Sequence, residues 1–260
     1  MSASAALPTI ISFGRSGGTL VNQLLGTHPD CLVLSEVNPA ASFKPVSEQA
    51  VEWLGLLAAD EVNGFDLLPY GQQIRTLVER ARARSKRLVV RDWTSVNFVA
   101  GSTPYAHPSR RLEQVVYLQR AALDPLPLAI VRRSEAVFVS WRRSFAQFAE
   151  LSADAFIDAY LDYAALVREY PIVRLEQIQA DPNGEARRIL ERFDLDATPL
   201  DMILAEFHRF ARCTGNNTLV EAAESAAAGR ILPPPPRGES MLAGKAAKKF
   251  ALADEWLGYD

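Results

Sequence analysis

Two periodicities run along this chain. Apolar runs of five to seven residues recur at 7–13, 30–34, 87–91, 113–118, 126–131 and 171–175, and they predict buried strands. Between them lie longer stretches where apolar residues return every three or four positions. These predict helices over 19–26, 46–59, 70–84, 134–149, 152–169, 182–193, 199–211 and near 241–257. Strand and helix alternate, so the expected fold is α/β, with a mostly parallel sheet flanked by helices in a three-layer sandwich. Ligands then bind beyond the carboxyl ends of the strands. A single domain over 1–260 accommodates all these elements, with a tetraproline stretch, Pro233 to Pro236, as the one low-complexity segment.

The most informative segment interrupts that pattern at its start. Gly14-Arg15-Ser16-Gly17-Gly18-Thr19 follows the first apolar run and precedes the helical pattern that begins near Leu20. A strand, a glycine-rich turn and a helix start in that order form an anion site, where backbone N–H groups and the helix dipole converge. Arg15 adds a full charge, and Ser16 and Thr19 add hydroxyl donors. The loop has the P-loop NTPase-like order but lacks the Gly-Lys-Ser/Thr ending that nucleoside triphosphatases use for phosphate and magnesium. A basic residue followed by Ser-Gly and a final Thr resembles the 5′-phosphosulfate loop of sulfotransferases. Gly18 stands where threonine is commoner.

A second segment carries the same resemblance. The predicted strand Leu126 to Val131 runs into Arg132, and Ser140 follows eight residues later on a predicted helix. In sulfotransferases an arginine at a strand end and a serine at that spacing hold a 3′-phosphate. Charge-assisted bonds from a guanidinium and a hydroxyl suit that group. Ser134 is the expected cap of the helix, with Glu135 in its first turn. Arg133-Ser134 replaces the Asn-Pro or Asp-Pro commonly found there. The resemblance implies a donor, 3′-phosphoadenosine 5′-phosphosulfate (PAPS), held by Arg15, Ser16, Gly17, Gly18, Thr19, Leu20, Arg132 and Ser140.

Sulfuryl transfer needs a base for the acceptor hydroxyl. Glu36 follows the predicted strand 30–34 in Leu34-Ser35-Glu36-Val37-Asn38-Pro39. The run from His28-Pro29 to Pro39 looks like bacterial and tyrosylprotein-type sulfotransferases, in which a glutamate here is the proposed base. Asp92, after the strand 87–91, is a second candidate, as base or as partner of Arg91. Arg91 is itself a candidate contact for the sulfonate or acceptor. His28 corresponds to the histidine base of cytosolic sulfotransferases, but it precedes the second strand, at the end of the sheet away from the crevice. Arg15 is expected to stabilise charge on the 5′-phosphate side.

The carboxyl-terminal part adds weaker marks. Pro171 to Ile178 resembles a structural segment late in sulfotransferases. Cys213-Thr214-Gly215 resembles a turn before a nucleotide-covering region, expected over about 213–245, where Arg230, Arg237 or Lys245 would supply a further 3′-phosphate contact. Segments 40–85 and 93–112, long stretches between core strands, are expected to build the acceptor pocket. Their aromatic residues are Phe43, Trp53, Phe65, Tyr70, Trp93, Phe98 and Tyr105.

Composition narrows the classes. The formal net charge is −3, with 28 Lys+Arg against 31 Asp+Glu, so no broad basic surface for nucleic acid is expected. Two cysteines, Cys31 and Cys213, make neither a disulfide framework nor a zinc site. No metal-ligand cluster, signal-peptide pattern or apolar run of ~20 residues is visible, which leads us to expect a cytoplasmic protein with no membrane partner and no metal. The resemblance implies transfer from PAPS to a hydroxyl of a small-molecule or other acceptor, leaving adenosine 3′,5′-bisphosphate. A small-molecule kinase and a non-catalytic nucleotide-binding protein are the alternatives.

Overall fold

The computed structural model describes residues 6–102, 108–215 and 244–259. β1 (Leu7–Ser12) leads through the glycine-rich loop into α1 (Gly18–Thr27). β2 (Cys31–Asn38) and the two-residue β3 (Ala41–Ser42) are followed by α2 (Val46–Glu48), a π-helical turn at Gln49–Trp53, α3 (Val62–Asp66) and α4 (Tyr70–Ala83). Then come β4 (Arg87–Asp92), α5 (Glu113–Arg120), β5 (Pro125–Val131), α6 (Ser134–Ser144), α7 (Ala153–Val167), β6 (Ile172–Arg174), α8 (Leu175–Ala180), α9 (Pro182–Arg192), α10 (Leu200–Glu206) and α11 (Gly244–Trp256).

The strands form one sheet in the order β3-β2-β4-β1-β5-β6. All neighbours are parallel except β2 and β3. Successive side chains of a strand point to opposite faces, and the core divides accordingly. Ile10, Val89, Leu128 and Ile130 pack with Leu20, Leu24, Leu25, Ile189 and Ile203 on the face covered by α1, α9 and α10. Ile11, Ala129 and Val131 pack on the other face with Trp141, Phe156 and Tyr160 from α6 and α7. Leu34, Leu88 and Val90 share that second face with Phe65, Ile74 and Leu77. This is the P-loop-like three-layer α/β arrangement expected from the alternating pattern. Local signals set several helix starts. Asp181 accepts from the Gly184 N–H at 2.9 Å with Pro182 at the first helical position, and Ser152 accepts from the Ala155 N–H at 3.2 Å.

Four expectations need correction. Residues 113–118, expected as a strand, lie in α5. The buried positions Leu112, Val115 and Leu118 are three apart, a helical spacing that the β-branched valines obscure. The helix expected over 46–59 breaks into α2 and the π turn, and the chain leaves at Gly55 with φ +60°. The helix expected over 134–149 stops at Ser144, where Phe145 turns extended before a short 3₁₀ turn at Ala146–Phe148. β2 does not end at residue 34; it runs to Asn38 through a register shift between Leu34 and Val37. Much of 40–85 therefore forms a core layer, with Val46, Ala50, Leu57 and Ile74 packed against the sheet.

Candidate active site at the carboxyl ends of the strands

The loop after β1 is held from three directions. Gly17, the residue before α1, has φ +96°, a conformation open to glycine at little cost. A Cβ there would stand 2.7 Å from Leu175 Cδ1, so glycine also lets α8 approach. At Gly18 a Cβ would stand 2.3 Å from Ser12 Oγ, which accounts for the glycine in place of threonine. Trp141 Nε1 on α6 donates to the Gly14 carbonyl at 2.7 Å. No acidic side chain lies in the first turn of α1 and none caps it, so no carboxylate offsets the positive dipole end there. Ser16 is fully buried in the loop, and Leu20 belongs to the core behind it.

The second predicted segment meets this loop. Arg15 Nε donates to Ser140 Oγ at 2.9 Å, and Arg132 Nη1 donates to the Arg15 carbonyl at 3.4 Å. Residues 117 and 125 positions apart from Arg15 thus converge on it. Tyr160 on α7 donates to the Arg132 carbonyl at 2.9 Å and fixes the end of β5. Burial pushes the Arg132 guanidinium pKa below its usual value, so an anion beside it would restore the charged form's stability. Ser134 does not cap α6 as expected. Its N–H donates to Asp254 Oδ1 of α11 at 2.8 Å, while its hydroxyl donates to the Phe250 carbonyl at 3.3 Å. A carboxylate from the distant α11 takes the place of a local cap.

Glu36 lies inside β2, at the register shift, with φ +49°. Its carboxylate pairs with Arg91 of β4, Nη2 to Oε1 at 2.8 Å, and the two side chains are 13% and 4% exposed. The same Nη2 donates to Thr19 Oγ1 at 3.2 Å. One guanidinium nitrogen therefore links the predicted base to the predicted donor loop. Arg91 Nη1 also donates to the Thr214 carbonyl at 3.2 Å and to Ser35 Oγ at 3.4 Å. The Thr214 N–H donates to Ser35 Oγ at 3.0 Å, and Thr19 Oγ1 donates to the Thr214 carbonyl at 3.4 Å. Gly215, at φ +118°, presses against Thr19: a Cβ would stand 2.2 Å from Thr19 Oγ1.

Asp92 is fully buried with both oxygens engaged. Asn38 Nδ2 donates to Oδ1 and Thr94 Oγ1 to Oδ2, each at 2.7 Å, and Thr94 Oγ1 accepts from the Ser12 N–H at 3.2 Å. Burial pushes its carboxyl up to about 7, against the hydrogen bonds from Asn38 and Thr94. The group ties together the ends of β1, β2 and β4. His28 stands at the far end of α1, where its Nδ1 accepts from the Asp30 N–H at 3.0 Å and its Nε2 meets the Asp196 carbonyl at 2.8 Å. Both ring nitrogens are used in joining loops. Lys245 is exposed on α11; Arg230, Arg237, the tetraproline, Tyr105 and His107 lie outside the described residues.

Sequence reasoning misses Gln49, which carries no motif, and the role of Ser35, which lies in the predicted run without one. It singles out Arg91 as a contact for the sulfonate or acceptor or a partner of Asp92, not as the partner of Glu36. Their roles follow from contacts that span 55 positions between Arg91 and Glu36 and 179 between Ser35 and Thr214. Among the described residues no group of three or more His, Cys, Asp or Glu side chains could hold a metal, and no helix is long and apolar enough to cross a membrane. A cavity of about 440 Å³ lies at the opposite end of the sheet, lined by Leu7, Lys86, Arg87 and Leu88. Two of its cations are paired, Lys86 with Asp30 at 3.1 Å and Arg87 with Asp194 at 3.7 Å.

No protein-family model matches the chain, and no curated protein matches it. Solved structures do. The sulfotransferase domain of a Synechococcus olefin synthase is 16% identical, with TM-score 0.65 over 98% of this chain and 95% of that one. The sulfotransferase domain from the curacin biosynthetic pathway is 15% identical, with TM-score 0.60 over 98% of both chains. Mouse sulfotransferase SULT7A1, complexed with PAP, is 13% identical, with TM-score 0.50 over 98% of this chain and 85% of that one. The chain has the fold of the sulfotransferases, as the two anion motifs led us to expect.

Proposed function

We propose that this protein transfers a sulfuryl group from PAPS to a hydroxyl of a small-molecule acceptor. The observation that carries this reading is the convergence on one loop of two sets of side chains. Arg15, Arg132 and Ser140 form one set, and Thr19, Arg91 and Glu36 form the other. The first set suits a phosphate dianion: the Ser140 hydroxyl accepts from Arg15 Nε and keeps its own proton to donate, and the Arg132 guanidinium lies at the Arg15 carbonyl. The second places a carboxylate and a cation together, as in-line displacement at sulfur requires.

The roles follow from these positions. Arg132 and Ser140 hold the 3′-phosphate, and the loop amides from Gly17 to Leu20, with the Ser16 and Thr19 hydroxyls, hold the 5′-phosphate. Arg15 belongs to the donor site, and its side chain reaches the Ser140 side. Arg91 is the cation nearest Glu36, so charge stabilisation at the leaving oxygen falls to it. Glu36 takes the acceptor's proton as the acceptor oxygen forms its bond to sulfur. The bond from sulfur to the 5′-phosphate oxygen breaks, and its electron pair stays on the phosphate. Asp92 acts as a strut rather than a base, because both its oxygens are taken.

Of the aromatic residues expected to line the acceptor pocket, most are otherwise engaged. Phe65 and Phe98 are core, Trp53 lies beneath the Lys44 ammonium, and Tyr70 spends its hydroxyl on Gln114. Phe43 is 63% exposed and meets the half-buried Trp93 edge to face at 5.9 Å. Its N–H donates to the Glu36 carbonyl at 3.3 Å. We assign these two rings to the carbon skeleton of the acceptor. The test is transfer of label from [³⁵S]PAPS to a panel of phenols and aliphatic alcohols without added metal. Labelled product made by the wild type and not by Glu36→Ala supports the reading. Product made from ATP alone, or equal product from both proteins, refutes it.

A further inference from the structure

We propose that Gln49 is the positioning residue for Glu36: it is the side chain that holds the β2 bulge and so aims the carboxylate. The inference rests on the reading of Glu36 as base. The bulge removes Ser35 from the regular ladder between β2 and β4, because the register shifts between Leu34 and Val37. A buried strand residue outside its ladder needs new partners for its N–H and C=O. Gln49 supplies both. The Ser35 N–H donates to Gln49 Oε1 at 2.7 Å, and Gln49 Nε2 donates to the Ser35 carbonyl at 2.8 Å. The second Nε2 hydrogen goes to the Lys44 carbonyl, also at 2.8 Å. One fully buried amide thus stands in for a strand neighbour.

Three departures from regular geometry meet at this point. Glu36 has φ +49°, a left-handed conformation that non-glycine residues avoid. β2 is bulged beside it, and Gln49 opens a π-helical turn closed by the Leu54 N–H donating to the Gln49 carbonyl at 3.0 Å. Bulges, π turns and positive φ values persist where surrounding contacts over-determine them, and they collect where a side chain must be aimed. Ser35 is fixed at both ends: its backbone by Gln49, its hydroxyl by Thr214 and Arg91. Glu36 is the next residue, and its remaining freedom is its own side-chain rotamer. Without the amide, the Ser35 backbone groups would seek partners by straightening β2, which would turn Glu36 away from Arg91 and Thr19.

The experiment compares Gln49→Ala, Glu36→Ala and the double variant for sulfuryl transfer from PAPS, with adenosine 3′,5′-bisphosphate binding measured on each. A shift in a positioned reacting group costs on the order of 10²-fold. We expect Gln49→Ala to lower kcat by about 10- to 100-fold, with bisphosphate affinity within about twofold of wild type. The double variant is expected to be no slower than Glu36→Ala. Should Gln49→Ala not fold, Gln49→Glu keeps the acceptor for the Ser35 N–H, loses both donors, and is expected to show the same pattern. A kcat equal to wild type, or losses that multiply in the double variant, would overturn the role of Gln49 alone. A wild type that binds the bisphosphate yet transfers to no acceptor would overturn Glu36 as base and this inference with it. Failure to bind the bisphosphate would overturn the donor reading beneath both.

Discussion

The two sides of the crevice are built by different means. On the donor side, the turn of the glycine-rich loop is specified by local sequence, a buried strand, Gly17 at positive φ and a helix start, and distant side chains then brace it. On the base side, Glu36 is set by three other segments, through Gln49, Arg91 and Thr214, which act on it directly or through its neighbour Ser35. A local turn can be specified by its own residues, because its hydrogen bonds and dihedrals are short-range. A strained carboxylate cannot, because its own conformation is unfavourable and other parts of the fold must impose it. The donor turn should therefore fail through changes in the loop itself, its 3′-phosphate contacts through changes at Arg132 and Ser140, and the base side through changes at Glu36 and at the segments that impose its conformation.

The sharpest way to separate the two sides is Glu36→Ala. A positioned base contributes ~10²–10⁴-fold, so kcat is expected to fall by that factor while bisphosphate affinity changes by less than about twofold. Comparable loss of donor binding, by calorimetry, would merge the two sides. Next in size is Gly17→Ala. A left-handed conformation costs an L-residue roughly 1–2 kcal/mol, and the added Cβ would also press on Leu175. Denaturant unfolding should show a loss of about 2 kcal/mol or more, accompanied by weaker donor binding; an unchanged midpoint would mean the loop is not held in that conformation.

Ser140→Ala should be milder. A hydrogen bond to a charged group contributes about 1.5–3 kcal/mol. We expect roughly a tenfold or greater loss in affinity for adenosine 3′,5′-bisphosphate and none for adenosine 5′-monophosphate, which lacks the 3′-phosphate. Equal loss for both ligands would move Ser140 away from that site. A further effect, on stability rather than on either side of the crevice, concerns Asp92→Asn. The Asp92 carboxyl rises from an ordinary value near 3.8 to about 7 in the folded protein. Between those values the folded state keeps a proton that the unfolded state has released, so the residue's contribution to stability declines as pH rises across that window. Asparagine does not titrate. The wild type should lose thermal stability relative to Asp92→Asn between about pH 4 and pH 7, and a trend in the other direction would show that Asp92 is ionised in the folded protein.

Legibility in the sequence follows the same division. The strand–loop–helix order around Gly14 to Leu20 and the Arg132/Ser140 spacing were readable, because each lies within one stretch of chain. The alternation that predicts a parallel sheet was readable for the same reason. Residues 113–118 were misread because Val115 and Val116 favour strands in isolation, whereas the buried spacing of Leu112, Val115 and Leu118 selects a helix once a core exists. Glu36 could be located near the second strand, but not the bulge that contains it. A bulge is invisible without the partner strand, and Gln49, which holds it, lies in a stretch whose pattern reads as an uninterrupted helix. The Ser134 cap failed for a related reason: the acceptor comes from Asp254, 120 positions away.

The central claim, a donor site that recognises a 3′-phosphate, is tested most directly by calorimetric titration of wild type and Arg132→Ala with adenosine 3′,5′-bisphosphate and with ATP, in the absence of magnesium. The wild type is expected to bind the bisphosphate in clear preference to ATP, and Arg132→Ala to lose that preference. Equal binding of both nucleotides by the wild type, or bisphosphate binding that survives in Arg132→Ala undiminished, would contradict the claim.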